Sequence, residues 1–170
     1  MFGYEPCSLL GGGDLPVALV APGEAGKAAL YWYSQTTPPV QAGQVVIARL
    51  AKWLVTQVDT WVSGPGGIHA HLLHCNAEGT LTRRTATVSG YGVQLTSQAP
   101  VEILGALTVT STADPDGNVQ TTGQLVPAGT WQGLSGDLVE LVDGTEWEQV
   151  GDLTSPAGGL PVVQLRRVRA

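Results

Sequence analysis

The run Gly136-Asp137-Leu138-Val139-Glu140-Leu141-Val142-Asp143-Gly144-Thr145-Glu146-Trp147-Glu148-Gln149-Val150-Gly151-Asp152 decides the fold. Residues of alternating polarity flank Asp143-Gly144, a pair that supplies the left-handed backbone of a two-residue hairpin turn. A loop follows, then Pro161-Val162-Val163-Gln164-Leu165-Arg166-Arg167-Val168, which reads as a closing strand. A hairpin with a third strand behind it is the beginning of an antiparallel sheet.

Working outward, strand patterns recur at 68–75, 81–88, 101–112, 119–127, 137–142, 145–150 and 161–168. Seven short strands separated by turn residues predict a small antiparallel β-barrel or sandwich. The segment 42–62 differs. Val46, Leu50, Trp53, Leu54, Val58 and Trp61 recur every three or four residues, and Arg49, Lys52 and Asp59 fall largely off that stripe. The spacing predicts one helix over about 42–62, with two amphipathic strands as the competing reading, because the segment is rich in β-branched residues. Gly64-Pro65-Gly66-Gly67 ends the element either way. Residues 1–26 read as irregular, with a short apolar strand from Leu15 to Val20, and Ala28 to Tyr33 reads as an apolar and aromatic strand or turn. The expected fold class is mainly β, with one helix and an irregular N-terminal segment. It divides at about residue 80 into an N-terminal segment (1–80) and a barrel (81–170), unless the two form one continuous domain.

With 43% hydrophobic residues in 170, the chain can bury one core or two small ones. Only 13% of residues are charged, while Gly numbers 23 and Pro 11, which favours short strands and loops over a helical bundle. Cys7 and Cys75 are too few for a disulfide framework and are expected to be reduced. The N-terminus lacks the basic region of a signal peptide, and no run of about 18 apolar residues suggests a spanning helix, so no membrane partner is expected. Gly11-Gly12-Gly13 lacks the Lys that would make it a phosphate loop.

Few residues suggest chemistry. Ile68-His69-Ala70-His71-Leu72-Leu73-His74-Cys75 holds all three histidines. On a strand, His69, His71 and Cys75 share one face, the spacing of a zinc site, and Cys7 could supply a fourth ligand. No carboxylate stands out as a general base there, and histidines touching backbone or a neighbouring subunit explain the same pattern. Asp114-Pro115-Asp116-Gly117-Asn118 lacks the Gly and Glu positions of a calcium-binding EF-hand and reads as a β-turn. Five tryptophans, Trp32, Trp53, Trp61, Trp131 and Trp147, fit a sugar-binding face or, more simply, core and interface anchors. No Gly-x-Ser-x-Gly elbow occurs and no carboxylates stand out as a glycosidase pair. No enzyme and no cofactor are expected.

Charge is distributed unevenly. No Lys or Arg lies between Arg84 and Arg166, whereas nine acids do: Glu102, Asp114, Asp116, Asp137, Glu140, Asp143, Glu146, Glu148 and Asp152. Phosphate binding needs cations that displace counterions, so sequence-specific DNA binding is not expected. Acids lining a channel would keep DNA from adhering to its wall, or an acidic face could meet a basic one on the next subunit. A solvated acidic face accounts for the pattern equally well.

The C-terminal motifs resemble the small head-to-tail stopper proteins of long-tailed phages. Those proteins end in a Gly-Asp strand, an Asp-Gly turn, a short aromatic strand, a Val-Gly-Asp loop and a strand closing Leu-Arg-Arg-Val. Gly136-Asp137, Asp143-Gly144, Trp147, Val150-Gly151-Asp152 and Leu165-Arg166-Arg167-Val168 fill those places. Upstream, the strand-Pro-x-Gly segment 121–130 and the Asp114-to-Asn118 turn are also similar, so the resemblance spans roughly 101–170. It implies a homo-oligomeric ring, commonly of six, in the neck of a virion assembled in the host cytoplasm. Such a ring joins a portal-side adaptor to a tail terminator or tail tube protein and retains packaged DNA. The resemblance makes the loop 112–120 (Asp114, Asp116, Gly117, Asn118) the lumen or gate candidate and 153–160 the second. Trp147, Arg166, Arg167 and Arg169 become the candidate subunit contacts. A capsid decoration or tail component is the first alternative, and a metal-binding β-domain on His69, His71 and Cys75 the second.

Overall fold

The computed structural model describes residues 7–15, 17–20, 25–32, 39–48, 50–59, 68–113, 115–155 and 159–169. Among these residues every regular element is a β-strand. The chain divides into two compact units, residues 1–75 with 157–160, and residues 76–156 with 161–170.

The first unit is one antiparallel sheet. Its strands are β1 (Cys7–Leu9), β2 (Asp14–Leu15), β3 (Ala18–Val20), β4 (Lys27–Trp32), β5 (Val45–Ala48), β6 (Ala51–Asp59) and β7 (Ile68–His74). They lie in the order β2-β1-β5-β6-β7-β4-β3. The outermost strands, β2 and β3, are joined by only residues 16 and 17, a reach of at most about 11 Å. The sheet must therefore roll until its edges nearly meet. Its concave face encloses Cys7, Leu19, Ala28, Leu30, Val46, Val55, Ala70 and Leu72, all buried.

The helix predicted over 42–62 does not form. The segment is the hairpin β5–β6, in register from Val45↔Leu54 to Ala48↔Ala51. Val45, Val46, Ile47, Val55, Thr56 and Val58 are β-branched and fit a pleated sheet better than a helix. The residues that suggested a helical stripe are spread over both strands and their turn. Leu50 sits in that turn, fully exposed, with φ +62°, and Trp61 lies outside the described residues. The predicted Leu15–Val20 strand is likewise two strands, at opposite edges of the rolled sheet.

The second unit contains a closed six-stranded antiparallel barrel. Its members are β8 (Ala77–Thr82), β11 (Val101–Ala113), β12 (Val119–Pro127), β13 (Leu138–Leu141), β14 (Glu146–Gln149) and β15 (Val163–Arg169). The order around the barrel is β11-β12-β15-β14-β13-β8, and β8 pairs back onto β11. Inside lie Ala77, Leu81, Leu125, Trp131, Val139, Leu141, Trp147, Val163 and Leu165. A barrel this small needs glycine where strands crowd. A Cβ on Gly79 would stand 2.0 Å from the Glu140 carbonyl oxygen, and one on Gly123 would stand 3.1 Å from the Trp147 ring.

The predicted strand 81–88 is two elements. β8 ends at Thr82, and β9 (Arg84–Ser89) leaves the barrel to pair only with β10 (Gly92–Ser97) among the described residues. The β11–β12 hairpin also outruns the barrel. β8 covers β11 only from Val101 to Gly105, whereas β11 and β12 stay paired out to Ala113↔Val119. The second unit is thus a barrel carrying two extended hairpin arms.

Candidate functional site

The C-terminal motifs converge on one corner of the barrel. The predicted two-residue turn at Asp143-Gly144 is in fact a three-residue loop. The Gly144 N–H donates to the Leu141 carbonyl, the Leu141 N–H donates to the Thr145 carbonyl, and Gly144 takes φ +83°. Val142 and Asp143 therefore occupy the turn and glycine takes the left-handed position after it. The Asp143 carboxylate accepts from the Thr145 N–H at 2.9 Å and the Thr145 hydroxyl at 2.6 Å. Those two bonds hold its pKa below the usual carboxylate range.

Gly136-Asp137 and Val150-Gly151 are neighbours in space. The Gly136 N–H donates to the Gln149 carbonyl at 2.9 Å, and the Gly151 N–H to the Ser135 hydroxyl at 3.2 Å. Asp137 is buried. Its carboxylate accepts from the backbone N–H groups of Arg84 at 3.0 Å and Leu134 at 2.8 Å, with the Arg83 guanidinium 3.6 Å away. Arg83 also donates to the Gln132 carbonyl. Gln149, equally buried, accepts from the Trp131 indole at 2.9 Å and donates to the Gly151 carbonyl at 3.1 Å. These motif residues tie the loop 131–137 to the strand ends, so their first role is architectural.

Trp147, expected at a subunit contact, is instead a core residue, 2% exposed. β14 turns its side chain into the barrel, where Gly123 leaves room for the ring. Arg167 lies over that ring at 5.9 Å, and Arg166 on the opposite face pairs with Glu148 at 2.5 Å. The Arg169 side chain lies outside the described residues.

Asp116, Gly117 and Asn118 are all exposed at the tip of the β11–β12 arm, with Gly117 at φ +84°. Asp114 lies outside the described residues. The expected loop 112–120 is shorter than predicted, because strand pairing continues to Ala113 and Val119. Beside the tip, β12 and β15 separate. Their pairing ends at Thr122↔Arg166, while β15 continues along β14 to Arg169. The notch that opens has a volume of about 560 Å³ and is lined by Thr112, Val119, Gln120, Thr121, Arg166 and Arg167. Of the second candidate loop, residues 156–158 are not described, and Thr154 and Val162 form a two-way bridge at 3.1 and 2.7 Å.

The histidine cluster is arranged differently from the expectation. β7 ends at His74, and Cys75 lies beyond it, its N–H donating to the Lys52 carbonyl at 2.8 Å. His71 meets Asp59 at 2.9 Å rather than Cys75, and His74 packs edge-on against Trp53 at 5.2 Å. Burial pushes the Cys75 thiol up to about 11. Cys7 is buried among apolar side chains, away from a position that could complete a ligand set with β7's exposed face. The His69 side chain is outside the described residues. Among the described residues no three His, Cys, Asp or Glu side chains are grouped to hold a metal ion.

β10 is not among the expected strands, although the signal for it is there: Val93-Gln94-Leu95-Thr96 alternates in polarity, and Gly90-Tyr91-Gly92 supplies the turn from β9. No family model, no curated protein and no solved structure matches this chain.

Proposed function

We propose that the chain is a structural virion protein of a tailed phage, a head-to-tail stopper ring in the neck. The observation that carries this reading is the placement of the motifs behind the resemblance. Gly136-Asp137, Asp143-Gly144, Val150-Gly151 and Leu165-Arg166-Arg167 occupy successive, mutually bonded strands and turns of one closed barrel. The mechanism is physical. Rings bury the strand edges of each subunit against its neighbours, and a projecting element can obstruct the lumen until ejection. The tip of the β11–β12 arm is the projecting element proposed for that role. The absence of cations from 85 to 165 supports passage of DNA without adhesion.

Purified chain is mixed with tailed particles assembled without it, and bound copies are located by gold labelling. The expected result is a small cluster at the single neck vertex. Label scattered over the capsid would instead indicate a decoration protein, and no binding would end the virion reading.

A further inference from the structure

Asp-Gly occurs twice in the chain, at Asp116-Gly117 and Asp143-Gly144, and both pairs sit exposed in hairpin turns. An aspartate before glycine can rearrange by itself, because glycine has no Cβ to keep its nitrogen away from the neighbouring carboxyl. An ideal Cβ at either glycine would meet nothing within 4 Å, and both take positive φ, +84° at Gly117 and +83° at Gly144. Steric access is therefore equal, and hydrogen bonding separates the two turns.

At Asp143-Gly144 both reacting groups are held. The Asp143 carboxylate accepts from the Thr145 hydroxyl at 2.6 Å and the Thr145 N–H at 2.9 Å, and the Gly144 N–H donates to the Leu141 carbonyl at 2.9 Å. The same two Thr145 bonds keep the carboxyl ionised to lower pH. An ionised carboxyl is the poorer electrophile, because it has no hydroxyl to lose as water. At the other turn, the Gly117 N–H has no acceptor among the described residues. That turn ends the β11–β12 arm, where pairing stops at Ala113↔Val119, beyond the part of β11 that β8 covers.

We infer that Asp116-Gly117 is a self-modification site, at which the backbone rearranges to isoaspartate, while the folded turn keeps Asp143-Gly144 intact. The Gly117 nitrogen bonds to the side-chain carboxyl carbon of Asp116. That carbon loses its hydroxyl, which leaves as water with the nitrogen's proton, and a five-membered imide closes. Water then opens the ring. Attack at the side-chain carbonyl restores Asp116, whereas attack at the backbone carbonyl leaves the chain running through Cβ and the carboxylate on Cα. One water leaves and one returns, so no other reactant is needed. The product lengthens the turn by one backbone atom at the tip of the arm.

The full chain is held at neutral pH for weeks, in buffer and in urea, and then cut after glutamate. Cleavage after Glu102, Glu140 and Glu146 puts the two pairs in separate peptides, 103–140 and 141–146. Isoaspartyl peptides keep the parent mass, elute apart from it, and are located by electron-transfer fragmentation. In buffer, isoaspartate should form in 103–140 at least about tenfold faster than in 141–146, since two bonds to a charged acceptor must first break at Asp143. In urea the difference should disappear. Asp116→Glu, whose longer side chain would need a larger ring, should abolish the product in 103–140. Of the other aspartates in that peptide, Asp114 precedes a proline, which has no N–H, and Asp137 precedes the bulky Leu138. Equal native rates, faster product at Asp143, no product in 103–140, product that survives Asp116→Glu, or a difference that persists in urea would each overturn the inference. None of these readouts involves particle binding, so the virion reading stands or falls separately.

Discussion

The indole N–H of Trp131 donates to the side-chain oxygen of Gln149 at 2.9 Å inside the barrel of the second unit. One residue comes from a loop and the other from β14, and both are buried. The bond closes the barrel end with a polar contact in an apolar setting. Gln149→Leu should therefore cost about 1–3 kcal/mol, because the indole is left without an acceptor. Urea unfolding followed by tryptophan fluorescence measures the loss. A change under about 0.5 kcal/mol would show that the loop repacks around the indole.

Asp137 makes a similar prediction with charge added. Its carboxylate holds two backbone N–H groups and faces Arg83. Asp137→Ala should destabilise by about 3 kcal/mol, and Asp137→Asn by less, since the amide oxygen still accepts one of the N–H bonds. The order of the two variants in a denaturation series is the test. Equal losses would mean that charge, and not the N–H bonds, accounts for the stabilisation.

Glycines separate sharply by position. Gly79→Ala drives a Cβ to within 2.0 Å of the Glu140 carbonyl, and backbone cannot move aside cheaply. It should lose about 3 kcal/mol or fail to fold. Gly90→Ala meets nothing within 4 Å and should change stability by less than about 0.5 kcal/mol. Comparing the melting of both variants checks the crowding of β8 against β13.

Cys75 supplies a pH dependence. Burial raises its thiol from 9.0 to about 11, partly countered by Lys52. The folded protein therefore holds this proton to higher pH than the unfolded chain does. Stability from this group is full below pH 9 and is lost as pH rises from 9 toward 11. Cys75→Ser should flatten that alkaline decline. Thiol labelling of native protein should stay slow at pH 8 and accelerate above pH 10. Rapid labelling at pH 8 would contradict the burial seen here.

Patterns local to a few residues were legible in the sequence. The β character of residues 68–170 follows from polarity alternating with period two, and the hairpin at 138–149 from Asp143-Gly144. The alternation around Leu165-Arg166-Arg167 showed that neighbours in sequence point oppositely, but not what each would meet. Other features depended on contacts between distant residues. The stretch 45–59 carries both a three-and-four spacing and a high β-branched content, and the choice fell to sheet because β1 and β7 were there to pair with it. Trp147 looked like an interface anchor because a strand pattern does not say which face is enclosed; closure of the barrel and the gap at Gly123 decided that. The buried Asp137 and Gln149 owe their roles to a loop returning from outside the sheet. Local sequence sets strand, turn and alternation through backbone sterics, whereas burial and partnership arise only when strands far apart in the chain close on one another.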